Sequence, residues 1–390
     1  MQGKRRRVLL VCMANSVHVA RWVLMFRNED IDFYLFPSTQ AGFLHESLLP
    51  LTKSKRVNGA SVELRKFDRL TLLVLYLIDR FLDNRLRGVL LKKFASQVNP
   101  DFVHVLEMQH AGYLSLRGFE RKLSCPLIVT NYGSDIYWFQ RFSRHRKKIS
   151  ALLEMSDFYS AECSRDVELA RSHGFAGVVL PVLPNSGGIN ADEMGRPDSI
   201  ELLKRDLILV KGYHGWAGRA VVALRALISI RKHLRGYRIV FFSTSFVVKI
   251  LASISPIRRM TTCLPKGAKS HEEMLALMGQ ARIYLGLSKT DGISTSAIEA
   301  LSQGAFPIQT STSCLSEWVQ DGLTGKLISS TTAAEVQTSI ISALEYTGRI
   351  SQDNWEQNLR PIWKRLDSRE LKKQALTFYT SNARKNAKAH

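Results

Sequence analysis

The chain has 390 residues, of which 45% are hydrophobic, 23% charged and 9% aromatic. This length fits two or three domains of roughly 150 residues each, and the composition excludes a disordered chain and a collagen-like repeat. Lys and Arg number 55 against 34 Asp and Glu, so the net charge is +21. The five cysteines are far apart and form no C-x-x-C pair. We therefore expect neither a disulfide framework nor a zinc module, and a reducing cytoplasm as the location.

The amino terminus places basic residues at 4–7 before the apolar run at 8–13. Polar residues follow directly and no small-residue cleavage site is present, so we expect a buried first strand rather than a signal peptide. The longest apolar run, residues 70–78, is nine residues long, whereas a bilayer span needs about 20. No transmembrane helix is expected. Two interpretations stay open for 70–78: a buried crossover helix and a helix lying on a membrane surface.

The positive charge is spread over both halves of the chain, with local concentrations. Residues 53–93 hold eleven basic and four acidic residues, and residues 141–148 hold five cations in eight positions. Such clusters attract lipid head groups or nucleic acid. Because no RNA- or DNA-binding motif accompanies them, we expect an anionic membrane surface and no nucleic acid as partner. A basic nucleic-acid-binding protein stays as a remote alternative.

Short apolar runs alternate with helical patterns along the whole chain. The first series of predicted strands covers 8–13, 33–36, 102–106, 127–130 and 178–180. After a polar stretch at 185–197, a second series covers 207–210, 239–242, 283–287, 306–309 and 326–328. The predicted helices include 17–27, 220–233, 270–278 (opened by a Ser270–Glu273 capping box) and 355–378. This alternation predicts an α/β fold of two facing Rossmann-like domains with parallel sheets, with ligands in a cleft at the carboxyl ends of the strands.

Residues 288–325 carry the most specific pattern, SKTDGISTSAIEALSQGAFPIQTSTSCLSEWVQDGLTG. A polar loop through Asp291 and Gly292 precedes a predicted helix that carries Glu299 and ends at Gly304. Backbone amides at the start of a helix form an anion site. The spacing of eight residues lets Asp291 and Glu299 face the same ligand.

This segment resembles the donor-binding signature of retaining family-4 glycosyltransferases of the GT-B fold. The matching elements are Asp291-Gly292, Glu299-Ala300-Leu301, Gly304, Pro307, Glu317 and Asp321-Gly322-Leu-Thr-Gly325, with Asp291 where the family more often has Glu. The resemblance implies that Asp291 contacts the donor sugar and acts in catalysis, and that Glu299 binds the ribose hydroxyls. It also implies that backbone amides hold the sugar or the diphosphate; these belong to Gly292, Ile293, Ser294 and Thr295.

The turn from Lys211 to Arg219, KGYHGWAGR, resembles the diphosphate-binding turn of the same family. A cation is needed there because charge accumulates on the departing nucleoside diphosphate. Arg219 is the first candidate for this cation and Lys211 the second.

Two segments of the first half resemble the acceptor side of the family. The segment Thr130–Asp135 is similar to a His-Gly-x-Asp loop, with Tyr132 in the histidine position, and residues 15–22 are similar to the loop after the first strand. The resemblance implies catalytic roles for Asp135 and His18. It places Asn15, Ser16, Arg21 and Tyr132 on the acceptor side. Structural alternatives stay open, in which His18 caps or packs on the first helix and Asp135 closes an Asx turn.

The resemblance implies an acceptor-binding domain at 1–186 and a nucleotide-sugar-binding domain at 187–354. A C-terminal part at 355–390 would pack its helix on the first domain and end in a basic tail. The implied reaction moves a sugar from a nucleotide-diphosphate donor to a glycan or lipid-linked acceptor, with retention of the anomeric configuration and without a metal or cofactor. The implied pathway is the synthesis of a bacterial cell-surface polysaccharide or lipopolysaccharide. The positive net charge indicates a peripheral location on the inner face of the membrane. A sugar-nucleotide epimerase or a phosphorylase of the same fold is the alternative.

Overall fold

The computed structural model describes residues 5–52, 59–119, 123–194 and 200–380. The chain forms two compact units: unit 1 comprises Met1–Gly187 and Leu371–His390, and unit 2 comprises Gly188–Glu370. The first segment of unit 1 ends at Gly187, one residue after the predicted boundary at 186. The predicted C-terminal part, which begins at residue 355, is divided between the two units: residues 355–370 belong to unit 2, and the chain belongs to unit 1 again from residue 371. The predicted basic tail, residues 381–390, lies outside the described residues.

Unit 1 is built on a sheet of seven parallel strands. The strands are β1 (Arg6–Cys12), β2 (Ile31–Pro37), β3 (Ser61–Leu64), β4 (Phe102–Leu106), β5 (Leu127–Thr130), β6 (Phe158–Ser160) and β7 (Val178–Val179). The helices are α1 (Val17–Met25), α2 (Arg69–Asp79), α3 (Arg85–Val98), α4 (Tyr113–Gly118), α5 (Ser134–Tyr137), α6 (Ser143–Met155) and α7 (Ser164–Ser172). The spatial order is β3-β2-β1-β4-β5-β6-β7, so the order reverses direction between β1 and β4. Ligands bind parallel sheets at such a point, beside the carboxyl ends of the strands.

The central strand β1 shows why the apolar runs are continuous. Val8 and Leu10 pack into the core on one face of the sheet, whereas Leu9 and Val11 pack into the core on the other. Successive side chains of a strand point to opposite faces, so a strand covered by helices on both sides must be apolar at every position. The predicted first strand at 8–13 is therefore correct in kind, with bounds of Arg6–Cys12.

Unit 2 repeats the arrangement with six parallel strands. The strands are β8 (Leu207–Lys211), β9 (Arg238–Phe242), β10 (Thr261–Cys263), β11 (Ala281–Gly286), β12 (Phe306–Thr310) and β13 (Lys326–Ile328). The helices are α8 (Ala220–Ser229), α9 (Phe246–Ser253), α10 (His271–Gln280), α11 (Thr295–Ser302), α12 (Ala333–Thr347), α13 (Gln352–Leu366) and α14 (Ser368–Leu376), the last of which continues into unit 1. The order β10-β9-β8-β11-β12-β13 reverses between β8 and β11. The predicted α/β fold with two Rossmann-like domains is confirmed.

The predicted helix at 355–378 is two helices, because the chain breaks at Asp367. Trp355 is fully buried in unit 2, where its indole N–H donates to the carbonyl oxygen of Gly304 at 2.9 Å. At the other end of the segment, the Tyr379 hydroxyl lies 2.9 Å from the indole nitrogen of Trp22 and 2.7 Å from Nδ1 of His104 in the core of unit 1. Trp355 and Tyr379 thus anchor the two halves of this segment in different cores.

Three strands were absent from the sequence prediction: β3, β6 and β10. Their sequences, SVEL, FYS and TTC, are short and mix polar with apolar residues, so none of them shows the continuous apolar run of a buried strand. Among the described residues, no helix is both long and apolar enough to cross a bilayer.

Candidate functional site

The polar loops of unit 2 meet where the strand order reverses. The loop after β8 and the loop after β11 are joined by two backbone hydrogen bonds, from the amide of Arg219 to the carbonyl of Leu287 (3.0 Å) and from the amide of Lys289 to the carbonyl of Ala217 (2.8 Å). The predicted diphosphate-binding turn and the segment with Asp291 are therefore neighbours. Ligands of open α/β sheets bind in such a crevice.

Lys211 and Asp291 form an ion pair at this crevice, with 3.7 Å between Nζ and the nearer carboxylate oxygen. Lys211 is the last residue of β8, so its side chain leaves the sheet at the carboxyl edge. Burial lowers the pKa of Lys211, but the carboxylates of Asp291 and Glu299 raise it more, so the net pKa lies above its usual value. The ammonium group therefore keeps its charge at neutral pH.

Arg219, the first candidate for the phosphate cation, has one guanidinium nitrogen, Nη1, bonded to the glycine-rich turn. Its guanidinium donates to the carbonyl oxygens of Gly215 and Gly218, both at 2.7 Å. These bonds hold the glycine-rich turn against the Arg219 side chain, and α8 begins at the next residue, Ala220. Lys211, the second candidate, is the cation that lies beside Asp291.

The loop after β11 leads into the amino terminus of α11. Gly292 and Ile293 are buried, and the Gly292 carbonyl accepts a hydrogen bond from the amide of Cys314 at 2.8 Å. Ser294 occupies the N-cap position but makes no capping hydrogen bond with its side chain. Because first-turn amides have no partner within their own helix, the start of α11 at Thr295 suits an anion.

Glu299 lies one turn into α11 and lines a cavity of about 180 Å³. The other walls come from residues after β9 and β10 and from α10, including Phe242, Ser243, Pro265 and His271. A Glu299 carboxylate oxygen lies 3.7 Å from Nδ1 of His271. Ser243 has φ of +48°, a strained conformation that occurs preferentially at binding sites.

Sequence reasoning missed the walls of this cavity. Its residues are drawn from separate loops of ordinary composition, and no linear pattern marks them. The predicted capping box is present, because Ser270 and Glu273 exchange side-chain and backbone hydrogen bonds at the start of α10. It fixes the end of the helix that carries His271.

In unit 1 the structure brings together the predicted catalytic residues His18 and Asp135 and the predicted acceptor-side residue Tyr132. The rings of His18 and Tyr132 lie 5.6 Å apart, and the amide of Tyr132 donates to a carboxylate oxygen of Asp135 at 2.7 Å. His18 follows β1, and the other two follow β5, so all three lie at the carboxyl edge of the sheet. Ser16 caps α1 by accepting a hydrogen bond from the amide of His18 at 3.2 Å. Asn15 and Arg21 are half-buried on the same loop and helix.

Asp135 is buried, and its second carboxylate oxygen accepts a hydrogen bond from the amide of Met108 at 3.1 Å. Burial and the nearby Glu107 carboxylate raise the pKa of Asp135 to about 8, although the amide hydrogen bonds lower it. A carboxyl group that titrates near neutral pH is characteristic of functional sites.

Glu107 is a residue that sequence reasoning missed. It has φ of +85°, and its carboxylate accepts hydrogen bonds from amides of the π-helical turn Met108–Gly112 that follows β4. That turn carries His110, whose Nδ1 lies 3.2 Å from the Glu107 carboxylate. This hydrogen bond raises the pKa of His110 above its usual value. π-Helical turns and strained residues both occur often at functional sites, but neither has a sequence signal.

These two units define a Rossmann-like α/β protein that resembles solved GT-B structures. Sucrose-phosphate synthase from Thermosynechococcus elongatus superimposes with a TM-score of 0.67 at 11% identity, covering 96% of this chain and 98% of that chain. HepE from Anabaena, solved with UDP and glucose, gives a TM-score of 0.67 at 12% identity, with 96% and 100% covered. A putative UDP-N-acetylglucosamine 2-epimerase from Listeria monocytogenes gives 0.62 at 12% identity, with 98% and 97% covered. At these identities the similarity establishes the fold alone.

The family comparison is more specific. Residues 262–360 match the family described as glycosyl transferases group 1, whereas no curated protein sequence matches the chain. The matched range contains Asp291, α11 and Glu299. Unit 2 therefore contains a glycosyl transferase group 1 domain, and this domain together with the GT-B fold supports a transferase.

Proposed function

We propose that the protein is a retaining glycosyltransferase of the family-4 type that uses a nucleotide-diphosphate sugar. The observation that carries the proposal is the meeting of Lys211, Asp291 and the start of α11 at one crevice, beside the cavity lined by Glu299. This combination offers a cation and backbone amides to a diphosphate. It also offers carboxylates to the hydroxyl groups of a sugar and a ribose.

The nucleoside occupies the cavity of about 180 Å³ in this proposal, with Glu299 accepting hydrogen bonds from the ribose hydroxyls. The diphosphate lies at the amino terminus of α11, over the amides from Gly292 to Thr295. Asp291 binds the hydroxyls of the transferred sugar. A nucleoside diphosphate is a plausible ligand because HepE, which shares the fold, was solved with UDP.

In the proposed reaction, the bond between the anomeric carbon and the diphosphate oxygen breaks, and a bond to the acceptor oxygen forms on the same face of the sugar. The acceptor proton passes to the leaving phosphate oxygen. Lys211 and the α11 amides stabilise the negative charge that develops on the diphosphate. The reaction therefore has no requirement for a metal ion or a resident cofactor, and addition of a chelator is expected to leave the rate unchanged.

The acceptor is assigned to unit 1, where Asp135, His18 and Tyr132 meet at the carboxyl edge of the sheet, next to Asn15, Ser16 and Arg21. We propose a glycan or lipid-linked acceptor of a cell-surface polysaccharide or lipopolysaccharide. The net charge of +21 favours a peripheral position on the inner, anionic face of a membrane. His18 and Asp135 are proposed to contact the acceptor hydroxyl.

Isothermal titration calorimetry with UDP, GDP and ADP tests the donor site. We expect one nucleotide to bind, and Glu299→Ala to weaken its binding by at least about tenfold, the range lost with a hydrogen bond to a charged group. Glu345→Ala is the matched control, because Glu345 is an exposed carboxylate on α12. Equal binding by both variants would refute the assignment of Glu299.

A sugar-nucleotide epimerase is the second candidate, because the Listeria monocytogenes protein described as a putative epimerase shares the fold. Incubation with the nucleotide sugar alone distinguishes the two. An epimerase converts it to a stereoisomer without any acceptor, whereas the proposed transferase changes it only slowly, by hydrolysis. The anomeric configuration of a transfer product, read by NMR, tests retention.

A further inference from the structure

Helix α2 carries an apolar stripe on its outside. Side chains at positions 70, 73, 74, 77 and 78 recur at helical spacing and are all exposed, and Phe81, just past the helix, is 88% exposed. The opposite side of α2 holds the buried Leu72 and Asp79. A surface helix of a water-soluble protein normally buries its apolar side chains and exposes its polar ones. Contiguous exposed apolar patches mark interaction surfaces. Of the two interpretations of 70–78, the buried crossover helix is excluded by this exposure.

Basic residues surround the stripe. Arg69, Arg80 and Arg85 are exposed at the ends of α2 and the start of α3, and Lys92 and Lys93 are exposed further along α3. Apolar side chains flanked by cations are the composition of a surface that enters the interface of an anionic bilayer.

A cavity of about 500 Å³ opens beside the end of α2. Arg80, Arg144 and Lys148 are among its lining residues, and the buried Ser38 contributes a hydroxyl that has no hydrogen-bond partner among the described residues. The arginine and lysine side chains that line the cavity suit an anionic ligand.

The acids of this cavity are already paired. Asp79 accepts hydrogen bonds from Nε of Arg87 at 3.3 Å and from its amide at 2.7 Å. Asp83 pairs with Lys148 and, at 2.6 Å, with Arg117. Within the described part of the chain, no ion pair is formed by Arg80 or Arg144. The cavity therefore retains a positive charge that a ligand can neutralise.

Helix α6 adds to this positive charge in an unusual way. Its first turn contains no acid but does contain Arg144, which lines the cavity. Cations at a helix amino terminus are unfavourable because the helix dipole is positive there. An anion bound in the cavity would offset both the charge of Arg144 and the positive end of the α6 dipole.

We propose that α2 lies on an anionic bilayer and that the cavity holds the phosphate head group of a membrane lipid, whose hydrocarbon chain lies along the apolar stripe. The proposal deepens the acceptor half of the proposed function, because it names the acceptor class as a phosphate-bearing lipid. Binding of the lipid does not depend on transfer, so the two can fail separately.

Vesicle sedimentation tests the stripe. Wild-type protein is expected to bind phosphatidylcholine vesicles that contain phosphatidylglycerol and not vesicles of phosphatidylcholine alone. Leu77→Ser should weaken binding about tenfold, from the lost burial of one leucine. The matched control is Leu203→Ser, since Leu203 in unit 2 is 53% exposed and Leu77 51%. Release by Phe246→Ser on α9 but not by Leu77→Ser would overturn the assignment to α2.

The double variant Arg80→Ala/Arg144→Ala tests the cavity. It should weaken vesicle binding by about fivefold for each arginine, whereas Arg231→Ala/Arg235→Ala, which removes the same charge from exposed positions of unit 2, should have little effect. Equal losses would show attraction by net charge only and would overturn the cavity assignment.

Two further measurements complete the test. Inorganic phosphate at the concentration of the lipid phosphate should not displace the protein from vesicles; displacement would identify a site for free phosphate instead. An oligonucleotide that binds wild type but not the arginine double variant, with vesicle binding intact, would likewise overturn the proposal. Nucleotide binding, measured by calorimetry, should be unchanged in every variant. A loss of vesicle binding can then be attributed to the lipid site and not to a damaged donor site.

Discussion

The loops after β5 and after β11 are built alike but differ in charge. Each places an aspartate near the carboxyl edge of a parallel sheet: Asp135 lies in the first turn of α5, and Asp291 lies on the loop that leads into α11. Asp135 in unit 1 is buried near Glu107, and its pKa is raised to about 8. Asp291 in unit 2 is part-exposed and pairs with Lys211 at 3.7 Å.

The difference shows that similar loops can support different chemistry. A carboxyl group whose neighbours raise its pKa holds a proton near pH 7, whereas Asp291 forms an ion pair with the ammonium group of Lys211. We therefore expect unit 1 to respond to pH at Asp135 and unit 2 to depend on the charge of Lys211.

The largest effect on activity is expected for Lys211→Met, which removes the cation beside Asp291. Loss of an electrostatic contact to a developing charge costs about 10²- to 10³-fold in rate. The value of kcat/KM, measured with the nucleotide sugar that binds, should fall by that amount. Lys289→Met serves as control, because Lys289 is an exposed lysine on the loop after β11. If both variants keep wild-type activity, Lys211 has no role in catalysis.

An effect on stability that depends on pH is expected for Asp135→Asn. The pKa of Asp135 in the folded state, about 8, lies above the ordinary value of about 4, so its stabilising contribution is present below pH 4 and is lost as the pH rises towards 8. The free energy of unfolding of wild type should decline relative to the variant by up to about 1.4 kcal/mol per pH unit in that window.

Urea unfolding at a series of pH values measures this difference. The exposed carboxylate Asp353 provides the control: the variant Asp353→Asn should follow the wild-type curve. A constant difference between wild type and Asp135→Asn across the window would show that Asp135 is ionised throughout.

The smallest effect is expected for Ser270→Ala, which removes one half of the capping box of α10. Loss of an N-cap serine costs about 1 kcal/mol. Because α10 supplies His271 to the wall of the cavity with Glu299, nucleotide affinity should also fall, by a few-fold at most. Thermal unfolding and calorimetry measure both quantities, with Ser342→Ala on the exposed side of α12 as control. A Ser270→Ala protein as stable as wild type would show that the cap is dispensable.

Much of the fold was predictable because buried parallel strands are apolar at every position. β4, β5 and β13 have the predicted bounds. β3, β6 and β10 were not predicted; their sequences, SVEL, FYS and TTC, mix polar and apolar residues and show no continuous apolar run. The break at Asp367 was not predictable either, since the apolar spacing continues across it and only packing in two different units divides the helix.

The candidate site was predictable where it is continuous in sequence. Asp291 and Glu299 belong to one loop and helix, so their spacing alone indicated a common ligand. The choice of Lys211 over Arg219 as the neighbour of Asp291 needed the structure, because it depends on where the guanidinium finds its carbonyl partners. Glu107 and Ser38 had no linear signal at all.

The sequence by itself determined the α/β class, the two successive sheets and the acids of the loop after β11, since periodicity and short-range spacing are local properties. Only the tertiary structure decided which face of α2 is exposed, which cation meets Asp291 and which buried groups raise the pKa of Asp135. Those outcomes depend on distances between residues far apart in the chain, and burial and Coulomb interactions are set by such distances rather than by sequence neighbours.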